Sequence, residues 1–157
     1  MFSVEASLTI PVDAALAFGA LASIESSVRW QVGVLGVRRA PNVPGSRRRA
    51  ALLVGYYALG RRHTLRARLT ACAPPTRFAY RADGDAFSLI VSLDVAPAAD
   101  GTVVTYRLQV AVPSEPHPTV APVATAALYR QLARRAPRDL ARLEHFLARR
   151  LRPRQAA

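Results

Sequence analysis

"IPVDAALAFGALASIESSVRW", residues 10–30, closes a strand, opens a helix and ends on the only tryptophan of the chain. Just before it, Phe2, Val4, Ala6, Leu8 and Ile10 alternate with Ser3, Glu5, Ser7 and Thr9. A period of two marks a strand with one buried face. Pro11 ends that strand because it has no N–H to give a ladder, and Asp13 is placed to accept the free backbone N–H groups of a helix start. Leu16, Ala17, Phe18, Ala20 and Leu21 form the apolar side of this helix, and Ser23 or Ser26 caps a second, shorter helical piece running to Trp30. Extended sequence rich in Val and Gly resumes at about residue 32.

From there to residue 112 the pattern is a meander. Strand-like segments fall near 32–40, 47–58, 62–72, 77–83, 86–96 and 102–112, separated by PNVPGS, LGR, APPT, GD and AADG, which are turn compositions. With the first strand they make about seven. Residues directly opposite one another must share a face. The AADG loop sets Leu93 against Tyr106 and Val91 against Leu108, and a two-residue Gly84–Asp85 turn sets Ala82 against Phe87 and Tyr80 against Leu89. In 62–72, His63, Leu65, Ala67, Leu69 and Ala71 point inward and Arg62, Arg66 and Arg68 outward. Segment 47–58 is apolar on both faces; an even-length turn sends Leu52, Val54 and Tyr56 inward and Tyr57 outward.

After the Pro-rich stretch SEPHPTVAP, Val120, Val123, Ala124, Ala127, Leu128, Leu132, Leu140, Leu143, Leu147 and Leu151 recur at steps of three and four. That is a long amphipathic helix, with Arg130, Arg134, Arg135, Arg138, Arg142, Arg149 and Arg150 largely on the other side. Pro137 lacks an N–H and crowds the preceding turn, so a kink or break is expected there.

The bulk numbers narrow the class. At 157 residues, 51% of them hydrophobic, the chain is the size of one domain with a real core. We expect a single domain over 1–152 and a frayed tail over 153–157. One cysteine, Cys72, excludes an intrachain disulfide and a zinc site built on cysteines. The start has no basic segment before an apolar stretch, and the longest apolar run, residues 50–60, is too short to cross a bilayer, so a cytoplasmic, soluble protein is expected. The net charge of +12 comes entirely from arginine, in the absence of any lysine. A solvated positive surface is the simpler reading. Runs at Arg38–Arg39, Arg47–Arg49 and Arg61–Arg62 keep open a nucleic-acid or transient anionic-membrane contact, although no aromatic residues interleave with them as single-strand binding requires.

A bent antiparallel sheet must cover its apolar face, and the long C-terminal helix is the element with a stripe to do so. The two short helical pieces then plug the open end. In this order, "PVDAALAFGALASIESSVRW", Gly/Val strand, meander and "AALYRQLARRAPRDLARLEHFLARRL", the chain resembles the START-related, pollen-allergen-like SRPBCC superfamily, and within it the polyketide cyclase/dehydrase and lipid-transport group. The resemblance covers essentially the whole chain. It implies an α+β helix-grip fold with an apolar cavity between sheet and C-terminal helix, and a range of activities from lipid carriage to aromatase/cyclase chemistry.

The inward residues then line the cavity: Tyr56, Leu65, Phe78, Tyr80, Phe87, Leu89, Tyr106 and Leu108 from the strands, Phe18 and Trp30 at the lid, Leu128 and Leu132 from the helix. Apolar walls with a few hydroxyls suit a hydrophobic or aromatic small molecule such as a lipid, quinone or polyketide-like compound. His63 is the inward-facing strand histidine, placed beside a turn where solvation competes with acid/base work. His117 and His145 have no spacing to a carboxylate that makes a metal site, and no cofactor motif is present. Glu5, Asp83, Asp85, Asp94 and Asp100 fall on outward or turn positions. A cyclase working by positioning and by hydrogen bonds to an enolate from Tyr, Arg or Trp is the alternative function, one that needs no nucleophile.

Overall fold

The computed structural model describes residues 2–41, 52–112 and 122–151, with the side chains of the last helix described from residue 125 onward. The elements run β1 (Phe2–Ile10), α1 (Ala14–Leu21), α2 (Ser27–Trp30), β2 (Val34–Arg39), β3 (Leu52–Ala58), β4 (Arg61–Ala73), β5 (Arg77–Asp83), β6 (Ser88–Ala98), β7 (Gly101–Ala111) and α3 (Pro122–Arg150). Among the described residues these strands form one antiparallel sheet in the order β1-β7-β6-β5-β4-β3-β2. This is the helix-grip α+β architecture, with α3 packed against β1 and α2, and α1 lying on β6 and β7. The expected segments 42–51, 113–121 and 152–157, including Arg47–Arg49, His117, Val120 and the tail, lie outside the described residues.

Local chemistry sets the entry to α1 as its sequence dictates. Asp13 Oδ2 accepts from Ala15 N at 3.3 Å. Ser26 occupies the cap position of α2 without making a cap bond. Its hydroxyl instead donates to Ser23 O at 2.8 Å, while Ser23 Oγ accepts from Ser26 N at 3.2 Å. Leu16, placed on the apolar side of α1 by its sequence, is 58% exposed. The helix is apolar nearly all round, and Ala17, Phe18, Ala20 and Leu21 take the buried side.

The strand faces follow the alternation. Val54, Tyr56 and Ala58 of β3 are buried and Tyr57 is 42% exposed. Leu59 and Gly60 join β3 to β4 with φ of 54° and 75°. Ala58 pairs with Arg61, so this is a two-residue turn of the kind that needs two left-handed residues. Leu93 faces Tyr106 and Val91 faces Leu108 as expected, and the ladder runs on to Ala98 and Gly101. Gly101 has φ of 133°, and a Cβ there would meet Ile10 O, so only glycine fits this position.

Three expectations are corrected. The β5–β6 connection is four residues long, with Ala82 opposite Leu89 and Tyr80 opposite Val91. Phe87 leaves the ladder to pack on the rings of His63 and Tyr56, and Gly84 N donates to Phe87 O at 3.1 Å across the loop. The slip is two residues, so every face is preserved. Ala71 is not inward, because a bulge between Leu69 and Ala71 shifts the register so that Ala71 faces Ala79 and Cys72 faces the inward Phe78. Leu69 keeps the inward face opposite Tyr80 but is 53% exposed, and no β4 residue beyond Ala67 is buried. Finally, α3 is unbroken at Pro137. That residue is exposed, and the carbonyl it strips of a partner belongs to Ala133, on the half-buried flank.

The inward side chains of all seven strands, α1, α2 and α3 make one core, in which Trp30, Tyr106, Phe78, Phe87 and Leu65 are among the largest fully buried groups. Removing such a side chain from water contributes about 1.5–3 kcal/mol each. The outer face is polar. Arg107 pairs with Glu5 at 2.6 Å and Arg81 with Asp83 at 2.6 Å, while Arg62, Arg66 and Arg68 are exposed.

Candidate functional site

Alternate strands β3, β5 and β7 each aim one tyrosine inward, Tyr56, Tyr80 and Tyr106, all buried. A buried phenol needs a partner. Tyr80 finds it in Gln31, whose Nε2 donates to the hydroxyl at 3.1 Å. Tyr106 donates its hydroxyl proton to Asp139 Oδ2 at 3.2 Å. Asp139 lies in the middle of α3 and is 4% exposed, and its Oδ1 accepts from Val32 N at 2.7 Å. One carboxylate thus ties the helix both to the sheet and to the chain between α2 and β2.

Burial dominates the electrostatics. It raises the Asp139 carboxyl to a pKa of about 6, against the Val32 N–H, the Tyr106 hydroxyl and the charges of Arg135 and Arg142, which favour the ionised form. Burial pushes Tyr80 up to about 12, opposed by hydrogen bonding from Ser27 and Gln31. Tyr56 and Tyr106 are raised as well, again mainly by burial, with the Asp139 charge adding to the effect. These phenols are therefore neutral donors at any physiological pH, whereas Asp139 exchanges its proton near neutrality.

Arg135 sits one turn before Asp139 and is half-buried, not on the solvent side where its helical position in the sequence placed it. Its Nη1 donates to Tyr57 O at 2.5 Å and its guanidinium lies 5.8 Å from the centre of the Tyr56 ring. A long alkyl stem lets an arginine cover apolar surface in this way. Four residues earlier, Gln131 Oε1 accepts from Leu59 N at 3.0 Å. The two side chains share a helix face and pin the β3–β4 hairpin to α3. Gly33 makes room for the site: a Cβ there would lie 2.5 Å from Tyr56 Cζ.

Of the residues read from the sequence as lining, Phe18, Trp30, Tyr56, Leu65, Phe78, Tyr80, Phe87, Leu89, Tyr106, Leu108, Leu128 and Leu132 are all buried in the same core. Trp30 packs edge-on against Tyr106 with ring centres 5.2 Å apart. His63 stands apart at the hairpin. It is half-buried, its Nε2 is 3.0 Å from Ala58 O, and its ring meets Phe87 edge-on at 4.9 Å, so it braces the turn rather than joining the Asp139 cluster.

Residues 1–144 match the sequence pattern of the family described as polyketide cyclase / dehydrase and lipid transport. The chain belongs to that family. No curated protein matches the sequence. Among solved structures, the Zhui aromatase/cyclase from a Streptomyces species superposes with a TM-score of 0.76 at 15% identity, covering 99% of each chain. The di-domain aromatase/cyclase StfQ of the steffimycin biosynthetic pathway gives 0.67 at 16% identity, over 94% of this chain and 51% of that one. A START superfamily protein from Mycobacterium smegmatis gives 0.60 at 16%, over 95% and 96%. At these identities the likeness is one of fold.

Four residues of this family member's site escaped the reading of its sequence: Gln31, Gly33, Arg135 and Asp139. Asp139 carried a usable signal. It continues the buried stripe Leu132, Ala136, Leu143 and Leu147 at steps of three and four, so a carboxylate stands where the pattern calls for an apolar residue. Gln31 and Gly33 lie in a connection without periodicity, and nothing local marks them.

Proposed function

We propose that this chain binds a hydrophobic or aromatic small molecule, of lipid, quinone or polyketide-like type, in a cavity between the inward face of the sheet and α3. The reading is carried by the hydrogen-bonded set of Tyr80, Gln31, Tyr106 and Asp139 sealed within an apolar shell. Packing alone does not call for such a set, because a core of apolar residues avoids the desolvation of polar groups altogether. Leu65, Phe78, Phe87, Leu89, Leu108, Leu128 and Leu132 supply apolar wall, and the phenols orient the guest. Membership of a family described by cyclase, dehydrase and lipid-transport activities supports a guest of this class.

Thermal denaturation against a panel of fatty acids, quinones and polycyclic phenols tests the reading. A guest present at a hundred times its Kd raises stability by about 2.7 kcal/mol. No shift anywhere in the panel, together with a native mass spectrum showing only the bare chain, refutes it.

A cyclase or aromatase reaction is the second reading, and the Asp139–Tyr106 pair favours it. A carboxyl with a pKa of about 6 can take and return a proton near neutral pH, as a general acid or base must. Neutral phenols at Tyr80 and Tyr106 can donate to a developing enolate oxygen, and Arg135 brings from the helix a cation that the outward strand arginines do not supply. Tyr106→Phe and Tyr80→Phe should each slow cyclisation of a poly-β-ketone substrate while leaving the fold intact. Unchanged rates would remove both residues from the mechanism.

A further inference from the structure

We infer that the indole N–H of Trp30 reads an acceptor oxygen on the guest, such as a carbonyl, which rests on the interior-binding reading above and narrows it to molecules bearing such an acceptor. Trp30 is 1% exposed, and its Nε1 is the one buried side-chain nitrogen or oxygen with no hydrogen-bond partner among the described residues. The neighbouring polar groups are occupied. The Tyr106 hydroxyl proton goes to Asp139, the Tyr80 hydroxyl is engaged with Gln31, and Asp139 Oδ1 holds Val32 N.

The indole is also held in place. Trp30 ends α2, two residues before the amide anchored on Asp139, and its ring stands edge-on against Tyr106 with an interplanar angle of 88°. Indole nitrogen is a donor only, so what satisfies it is a lone pair on the guest, such as that of an acceptor oxygen, and not a proton. A guest that fills the same space with a methylene leaves the N–H dry, and a buried donor left unmade is expected to weaken binding by roughly tenfold or more. The inference thus separates two kinds of guest that an apolar cavity alone would treat alike.

The single tryptophan makes the test direct, since uniformly 15N-labelled protein has one indole N–H resonance. The wild-type chain is titrated with α-tetralone and with tetralin, which has a methylene where the ketone has its carbonyl. We expect α-tetralone to bind about ten times more tightly and to move the indole proton downfield, with tetralin leaving that resonance near its free position. In Trp30→Phe the preference should fall towards one. Binding of both compounds with equal affinity and an unmoved indole resonance overturns the inference and leaves the interior-binding reading standing. Failure of both compounds to perturb any core resonance overturns both. Should Trp30→Phe not fold, the wild-type indole shift and the ratio of the two affinities still decide the question.

Discussion

Asp139→Asn removes a buried charge while keeping the shape of the side chain. The Asp139 carboxyl rises from an ordinary 3.8 to about 6 in the folded protein, chiefly because it is buried. The folded chain therefore holds this proton more tightly than the unfolded chain. Its stabilising contribution is complete below about pH 3.8 and is lost as the pH climbs through 6. At about 1.4 kcal/mol per pH unit, ionised Asp139 burdens the folded state by ~3 kcal/mol above neutrality. Asparagine keeps a carbonyl oxygen for Val32 N–H but presents an amide to the Tyr106 hydroxyl, which must then accept rather than donate. That mismatch takes back ~1 kcal/mol. The variant should accordingly be more stable than wild type at pH 8 by ~2 kcal/mol, or about 4–8 °C in Tm for a chain of this size, and no more stable at pH 4. Paired thermal melts between pH 4 and 8 measure this. A Tm difference of the same size and sign at both ends of the range would show that Asp139 titrates alike in the two states, and the argument from burial would fail.

Gly33→Ala drives a methyl group into the Tyr56 ring, which lies within 2.6 Å of the position of its Cβ, and should destabilise by about 1–3 kcal/mol; an unchanged denaturation midpoint would mean that the ring yields freely. Gln131→Ala frees the Leu59 amide, so its hydrogen exchange should accelerate at least about tenfold while amides in the middle of β6 and β7 keep their protection. Pro137→Ala restores a donor inside a continuous, exposed helical turn and should stabilise by about 1–3 kcal/mol; a loss of stability would show that α3 needs the proline for its docking.

Most of the architecture could be read from residue periods because the interior is one-sided. Where a strand buries one face, as in β1, β6 and β7, alternation fixes the face and facing pairs fix the register, so Leu93 and Tyr106 could be matched from the sequence alone. The reading slipped at Phe87, where tertiary packing on His63 and Tyr56 outweighed the preference for a two-residue turn. The break allowed for at Pro137 is also absent, since α3 runs on through a residue that opposes it. The apolar shell of the site was visible because each tyrosine sits at an inward period-two position. Its polar centre was not. Arg135 and Asp139 belong to an arginine-rich helix in which charge normally marks the solvent side, and only contact with β3, β7 and the α2–β2 connection reveals which charged residues turn inward.

In this fold α3, at one end of the sequence, docks on β1, at the other. Contacts between the extremes of a chain draw on the largest closure entropy and give a high contact order, so folding should be slow compared with that of a local helical bundle. During synthesis the hairpins from β3 to β7 can pair before α3 emerges, but their oily side then stays wet until some 40 further residues have been made, at about 5–20 residues per second. For those seconds the tyrosine-bearing surface is open to whatever hydrophobic molecule or chaperone is nearby.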